Sequence, residues 1–382
     1  MCGKHESEYL MAEILRYRYN TEFLTALCEK IKNEHIEFDH SAFLSAVFDE
    51  EWESKELKER MGHIATCLYT FLPQAYDEAI KILKPVSSHF GGFEPMIFPD
   101  YVQRYGQNNY TLSIEALEHF TQFSSSEFAV RPFIVSHPQK MMEQMTCWAD
   151  SKNYHVRRLA SEGCRPRLPW AMALPAFKTD PTPIFPILEK LKNDESEYVR
   201  RSVANNLNDI AKDNPDLVIA IATDWLGVTE DTNKLVKHAC RTLLKKGNPQ
   251  IMALFGYAPP NDMSLTDFEL NEIVEMGGRV EFSCRLAKEV SNNPLSHSPD
   301  KIRIEFAIGF MKSNGKLSRK VFKISEGVLG GKKKADNVKV ISKKFSFAPI
   351  STRKYYPGEH ELAIIINGVE MAKKTFLLEA SK

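Results

Sequence analysis

Two periods run along the 382 residues. Through the first two-thirds, apolar positions recur every three or four residues. In Thr21–Ile31, residues 23, 24, 27 and 31 form one helical stripe. Ser41–Phe48, Leu57–Leu72 and Ala75–Leu83 repeat the pattern, with Ser54 as a helix start before Leu57 and Pro85 as a stop. From Ser113 the helix-length pieces pair: 113–123 with 126–136, 138–149 with 154–162, 181–192 with 196–212, and 215–226 with 232–246. Their second members resemble one another, HVRRLASEG at 155–163, YVRRSVANN at 198–206 and LVKHACRTL at 235–243. Aligning Val156, Val199 and Val236 gives spacings of 43 and 37 residues, near the period of about 40–47 residues of two-helix HEAT-type repeats. Pro138, Pro183 and Pro215 sit near the starts of first helices, where a missing amide hydrogen is harmless. Residues 1–257 therefore read as an all-α solenoid whose second helices line a concave face.

At APPNDMSLTD (258–267) the period drops to two. Val280–Leu286, Ile302–Ile308 and Val338–Ser342 alternate apolar with polar residues, as half-buried antiparallel strands do. The run ending at Ile366 meets Asn367-Gly368, a hairpin turn signal. About seven such strands, with Tyr355-Tyr356-Pro357-Gly358 before a late one, predict an immunoglobulin-like β-sandwich over 267–382, joined by a linker at 258–266.

Composition is that of an ordinary globular chain, 43% hydrophobic with no net charge. The balance hides an asymmetry. Residues 1–126 carry 11 Lys/Arg against 20 Asp/Glu, whereas 267–382 carry 21 against 14. A basic tail suits a polyanion, because phosphate neutralisation dominates nucleic-acid affinity, and it suits a Lys-rich solvated surface equally well. The seven cysteines show no C-x-x-C pair, which argues against a zinc or iron–sulfur site and against a disulfide framework. The polar start MCGKHESEYL and the lack of a long apolar run predict a soluble cytoplasmic protein with no membrane association.

Candidate chemistry centres on YHVRRLASEGCRPRLPW, residues 154–170. Gly163 is suited to end a helix in a left-handed conformation, and Pro166 and Pro169 forbid a restart before Trp170. Glu162 would then face the negative end of a helix, an unfavourable place for a structural carboxylate. Glu127 has two readings, a first-turn helix cap or a functional acid. Trp170 either plugs a gap between repeats or stacks on a base from a basic loop. In 196–212, Val199, Val203, Leu207 and Ile210 form the buried stripe. Asn205, Asn206, Asn208 and Asp209 occupy the other side, either as a polar network between repeats or as a face holding a water or sugar oxygen through Asn205 and Asp209. Of the pairs Arg157-Arg158 and Arg200-Arg201, one member suits a ladder to the next repeat and the other suits phosphate. Trp148 and Trp225 read as core.

Together LKERMGHIATCL (57–68), FPDYVQRYG (98–106), EFAVRPF (127–133), VRRLASEGCRPRLPW (156–170) and the stretch from Glu197 to Leu217 resemble the AlkC-type DNA alkylation repair glycosylases, within the HEAT-like glycosylase superfamily. Phe98 stands where a Trp is expected in relatives. The resemblance implies excision of cationic bases, 3-methyladenine and 3-methylcytosine, from double-stranded DNA by a monomer needing no cofactor or metal. It places catalytic carboxylates at Glu127, Glu162 and Asp209, a lesion-facing ring at Trp170, and DNA contacts at Arg158 and Arg165. Arg167, Arg201, Asn205 and the basic loop Lys332-Lys333-Lys334 complete the expected DNA-contacting set. The sandwich, with its net positive charge and basic tips at Lys332-Lys333-Lys334 and Arg353-Lys354, is expected to grip DNA. The competing readings are a non-catalytic HEAT-repeat scaffold and a damaged-DNA-binding protein.

Overall fold

The computed structural model describes residues 15–289, 300–330, 337–350 and 353–380; Lys332, Lys333 and Lys334 lie outside them. The chain divides into two compact units, Ser7–Ala239 and Cys240–Lys382.

The first unit is a helical solenoid. Helices α1 (Thr21–Glu34) and α2 (His40–Val47) start on side-chain caps, Asn20 accepting from the Phe23 amide and Asp39 from the Ala42 amide, each at 3.0 Å. Helix α3 (Leu57–Phe71) starts from Glu56 rather than from Ser54, in a capping box with Glu59. Helices α4 (Tyr76–Ser87), α5 (Ile97–Tyr105), α6 (Tyr110–Phe120), α7 (Val130–Ser136) and α8 (Pro138–Trp148) follow. The piece predicted as helix 126–136 becomes helical only at Val130, which leaves Glu127 in the preceding turn. Then come α9 (Tyr154–Gly163), α10 (Pro175–Thr179), α11 (Phe185–Leu191), α12 (Glu197–Ile210), α13 (Pro215–Trp225) and α14 (Glu230–Ala239).

Helix α12 packs between α9 and α14, and the three aligned valines, Val156, Val199 and Val236, are all buried. The first arginine of each pair forms the ladder. Arg157 bonds Asp194 at 2.6 and 3.0 Å, and Arg200 reaches Asp231 at 2.9 Å. Trp148 and Trp225 are core residues, their indole N–H groups donating to Glu118 and Glu189 at 2.8 and 2.9 Å. The polar side of α12 is not a solvent face, because Asn206, Asn208 and Asp209 are buried. Asn206 Nδ2 donates to the Ser161 carbonyl at 2.8 Å, and the Ser161 and Ser202 hydroxyls meet at 2.6 Å. This seam explains why poor helix formers occupy α12: their hydrogen bonds to α9 outweigh propensity.

The second unit is an antiparallel sandwich to which two short helices belong, α15 (Arg241–Lys245) and α16 (Pro249–Leu254). Its strands are β1 (Met263–Leu270), β2 (Ile273–Glu275), β3 (Arg279–Lys288), β4 (Asp300–Met311), β5 (Leu317–Leu329), β6 (Val338–Ser346), β7 (Gly358–Ile366) and β8 (Val369–Glu379). One sheet has the order β1-β3-β6, the other β2-β8-β7-β4-β5, with β2 parallel to β8. Phe282, Phe306, Phe310, Phe347, Ile304 and Ile364 lie in the core between the sheets. Asn367 and Gly368 turn β7 into β8, both with positive φ, 46° and 81°, as a type I′ turn requires. Asn367 also bonds Arg303 N at 2.7 Å and the Ala258 carbonyl at 2.8 Å, so the turn is anchored.

Two expectations change here. Strand β4 is buried on both faces instead of alternating, because Arg303 pairs with Glu305 at 2.6 Å and Glu326 at 2.5 Å beneath the surface. Arg353, read as part of a basic tip, is buried with its guanidinium 4.1 Å over the Phe310 ring.

Candidate active site

Glu127, Glu162 and Asp209 come from three places: the turn before α7, the last turn of α9 and the last turn of α12. The two helix-end carboxylates stand where the backbone dipole disfavours them, and neighbouring cations offset this. Arg165 donates from Nη1 to Glu162 Oε1 at 2.5 Å and from Nε to Asp209 Oδ2 at 2.8 Å. Arg158 forms an ion pair with Glu127 and lies 3.6 Å from Glu162 Oε1. Lys212 Nζ closes the far end, 2.9 Å from Asp209 Oδ1. The result is one alternating chain: Glu127, Arg158, Glu162, Arg165, Asp209, Lys212.

Hydroxyls fix the remaining lone pairs. Ser202 donates to Glu162 Oε2 at 2.7 Å; Ser125 donates to Glu127 Oε2 at 2.9 Å and accepts from Arg158 Nη1 at 3.0 Å. Burial by itself would raise the Glu162 carboxyl, but Arg158, Arg165 and Ser202 outweigh it and hold the group below its ordinary value. Burial opposes charge on Arg158 and Arg165 as well, yet their carboxylate partners raise both. All three acids are therefore drawn into charge-paired bonding, at unequal depth. Glu162 is 4% exposed and Asp209 2%, while the Glu127 side chain keeps 15%. The Arg158 guanidinium also lies 4.9 Å over the Tyr198 ring, which adds a cation–π contact at the rim.

Trp170 carries the backbone conformation expected of a glycine. Its φ is 61°, and for a bulky residue this costs on the order of 1–3 kcal/mol unless surroundings enforce it. Gly163, read as the left-handed stop, has no positive φ and serves packing instead. A Cβ there would lie 2.7 Å from Val130 Cγ2 and 3.1 Å from Met145 Cε. The indole-bearing residue is half-buried, and its carbonyl accepts from Lys58 Nζ at 2.8 Å. Arg165, expected as a presented loop arginine, turns inward and is buried. Arg167 pairs with Asp213 at 2.6 and 2.9 Å. Arg201 is exposed beside a cleft of about 260 Å³ between α12 and α14, lined also by Arg200, Lys234 and His238. Asn205 Oδ1 meets His238 Nε2 at 3.2 Å, a contact between α12 and α14. Phe98 is fully buried and stacks on Phe120 with centroids 5.6 Å apart.

Four contributors escaped the reading of the sequence. Ser202 and Lys212 complete the shells of Glu162 and Asp209, Lys58 holds Trp170, and Arg131 is fully buried in α7. Arg131 had a visible signal: a lone guanidinium in the apolar run EFAVRPF, four residues after Glu127. It donates to the Gly163 carbonyl at 2.9 Å, at the negative end of the helix carrying Glu162, and burial pushes it down to about 10. Among the described residues no helix is long and apolar enough to cross a membrane.

Known proteins share this architecture. The family model for DNA alkylation repair enzymes matches residues 114–240, and that for the C-terminal Ig-like domain of the uncharacterised protein YhaZ matches 264–380. The uncharacterized protein YhaZ of Bacillus subtilis (strain 168) is 44% identical over 355 residues, which cover 93% of this chain and 96% of that protein. The structure of Pseudomonas fluorescens alkylpurine DNA glycosylase AlkC, bound to DNA containing an abasic site analog, is similar with a TM-score of 0.89 and 32% identity, over 96% of this chain and 99% of that one. With such identity and fold agreement across almost the full length of both chains, this protein belongs to the AlkC family of DNA alkylation repair enzymes.

Proposed function

We propose that this protein is a monofunctional DNA glycosylase that hydrolyses the N-glycosidic bond of cationic alkylated bases, 3-methyladenine and 3-methylcytosine, in double-stranded DNA, acting as a cytoplasmic monomer. The observation that carries the reading is the single ion-pair chain binding Glu127, Glu162 and Asp209 together beside the Trp170 loop. A base methylated at N3 is positively charged and leaves without a proton from a general acid. Its departure leaves an oxocarbenium-like sugar, which a carboxylate stabilises, and a water that a second carboxylate orients for attack. Glu127, the most accessible of the three, is suited to meet sugar or water, with Glu162 and Asp209 supplying fixed negative charge behind it.

The arginines have two effects of opposite sign. They hold Glu162 ionised and orient all three acids, and they weaken the net negative field that a cation meets. Trp170 adds attraction independent of that balance, because its ring favours a charged base over a neutral one by about 0.5–2 kcal/mol. Arg158, Arg165, Arg167, Arg201 and Asn205 are assigned to DNA contact or to orienting the acids, and the basic second unit to gripping the duplex, in line with the DNA-bound relative.

Release of free base tests this reading. Purified protein and duplex DNA treated with a methylating agent should yield 3-methyladenine by chromatography, and intact bases after long incubation overturn it. The deep burial of Glu162 and Asp209 favours one second reading, damage binding without catalysis. That reading requires methylated DNA to be bound and nothing released.

A further inference from the structure

Trp170 takes its positive φ as the third residue of a turn behind Pro169, closed by the Ala171 amide donating to the Leu168 carbonyl at 3.3 Å, and this turn gives the Trp170 carbonyl no donor. Two cations from other helices donate to the loop backbone. Lys58, on α3, donates from Nζ to the Trp170 carbonyl at 2.8 Å, with its ammonium 5.2 Å over the Phe128 ring. Arg131, on α7, donates from Nε to the Met172 carbonyl at 2.6 Å and from Nη1 to the Gly163 carbonyl at 2.9 Å. Arg131 Nη2 is buried without a partner, and its two bonds go to backbone carbonyls. So charged donors grip the loop at and beyond Trp170, and one of them also grips the end of the helix bearing Glu162.

We infer that Lys58 and Arg131 are positioning residues, a two-point clamp on backbone carbonyls that fixes the Trp170 indole relative to the Glu127–Glu162–Asp209 group. The inference rests on the glycosylase reading only for its effect on rate; the effect on the loop stands without it. The geometry assigns the two cations different burdens. Arg131 is buried and joins three segments, α7, the end of α9 and the loop. Lys58 is exposed and touches the site through one carbonyl, so its loss leaves the fold in place. Charge-assisted bonds to carbonyls are the stronger kind, and a loop held by two of them keeps one conformation. A catalytic ring displaced by about 1 Å can lose on the order of a hundredfold in rate, so a partial release by Lys58→Met should cost less, about tenfold.

The test labels the full chain with 5-fluorotryptophan. The four tryptophans give four fluorine resonances, and Trp170→Phe assigns the relevant one. In Lys58→Met the Trp170 signal is expected to shift or broaden while those of Trp52, Trp148 and Trp225 stay. Single-turnover excision from methylated duplex DNA falls about tenfold, affinity for undamaged duplex is unchanged, and Lys58→Arg restores both signal and rate. An unmoved Trp170 signal refutes the clamp, as does a loss confined to affinity for undamaged DNA, which makes Lys58 a phosphate contact. A moved signal with unaltered excision leaves the clamp standing and removes Trp170 from the reaction. Arg131→Met removes a fully buried cation and strips its donors from the Gly163 and Met172 carbonyls, which is expected to unfold the site, so Lys58 is the deciding variant.

Discussion

Replacing Glu162 by Gln separates the structural from the chemical work of the buried acid. The amide is nearly the same size, and one orientation keeps its oxygen toward Arg165 and its NH2 toward Ser202, whose hydroxyl can accept. What disappears is charge. Attraction to a guanidinium about 4 Å away is worth roughly 4 kcal/mol at an effective dielectric of about 20. Removing the buried carboxylate also removes its desolvation cost of several kcal/mol. Arg158 keeps Glu127 and Arg165 keeps Asp209, so neither guanidinium is stranded. The net loss of stability is then about 1.5–3 kcal/mol, the range for a hydrogen bond to a charged group. Preplaced charge at a developing cation carries more than this: losing one such group costs roughly a hundred- to a thousandfold in rate. Urea unfolding and single-turnover release of 3-methyladenine, measured on the same preparation, are the paired assays. A folded Glu162→Gln protein with the wild-type excision rate refutes the argument. A variant whose activity falls only as far as its folded fraction refutes it too.

Three further outcomes are expected. Trp170→Ala should slow excision of a cationic base about two- to thirtyfold, the equivalent of about 0.5–2 kcal/mol, with binding to DNA carrying an abasic-site mimic much less affected. Because Glu162 titrates below its ordinary value of 4.5 in the folded protein, its contribution to stability is complete above that pH and is lost as pH falls through the folded value; denaturant titrations at descending pH should show the loss beginning below about 4.5, and Glu162→Gln should flatten it. In the second unit, Gly247→Ala should lower stability by more than about 1 kcal/mol by thermal unfolding, since φ there is 67° and the new Cβ would lie 2.8 Å from the Gly368 carbonyl oxygen.

The order of events along the chain was open to the sequence. The change of period from 3.6 to two separates a helical from a strand-built region because side-chain direction repeats with the backbone, and the Val156, Val199 and Val236 register survives because each repeat buries the same position. Asn367-Gly368 was equally legible, since a type I′ turn needs two left-handed residues and few sequences supply them. The candidate acids were legible as chemistry out of place: Glu162 at a helix end and polar residues along α12 are locally unfavourable, and such conflicts mark sites.

What no local rule reaches is which residue resolves each conflict. Arg165 lies three residues from Glu162 but 44 from Asp209, and it joins them only because α9 and α12 pack together. Lys58 meets Trp170 across 112 residues, and Arg131 meets Met172 across 41. Gly163 does not take the left-handed backbone because packing from other helices, Val130 and Met145, holds it in close contact; Trp170 takes it instead, in the turn behind Pro169. Strands behave alike, since the alternation in β4 says nothing of Glu326, which arrives from β5 to bury Arg303. Composition and period fix what a segment can be on its own; partners fixed by packing between segments decide its charge state, its burial and its shape.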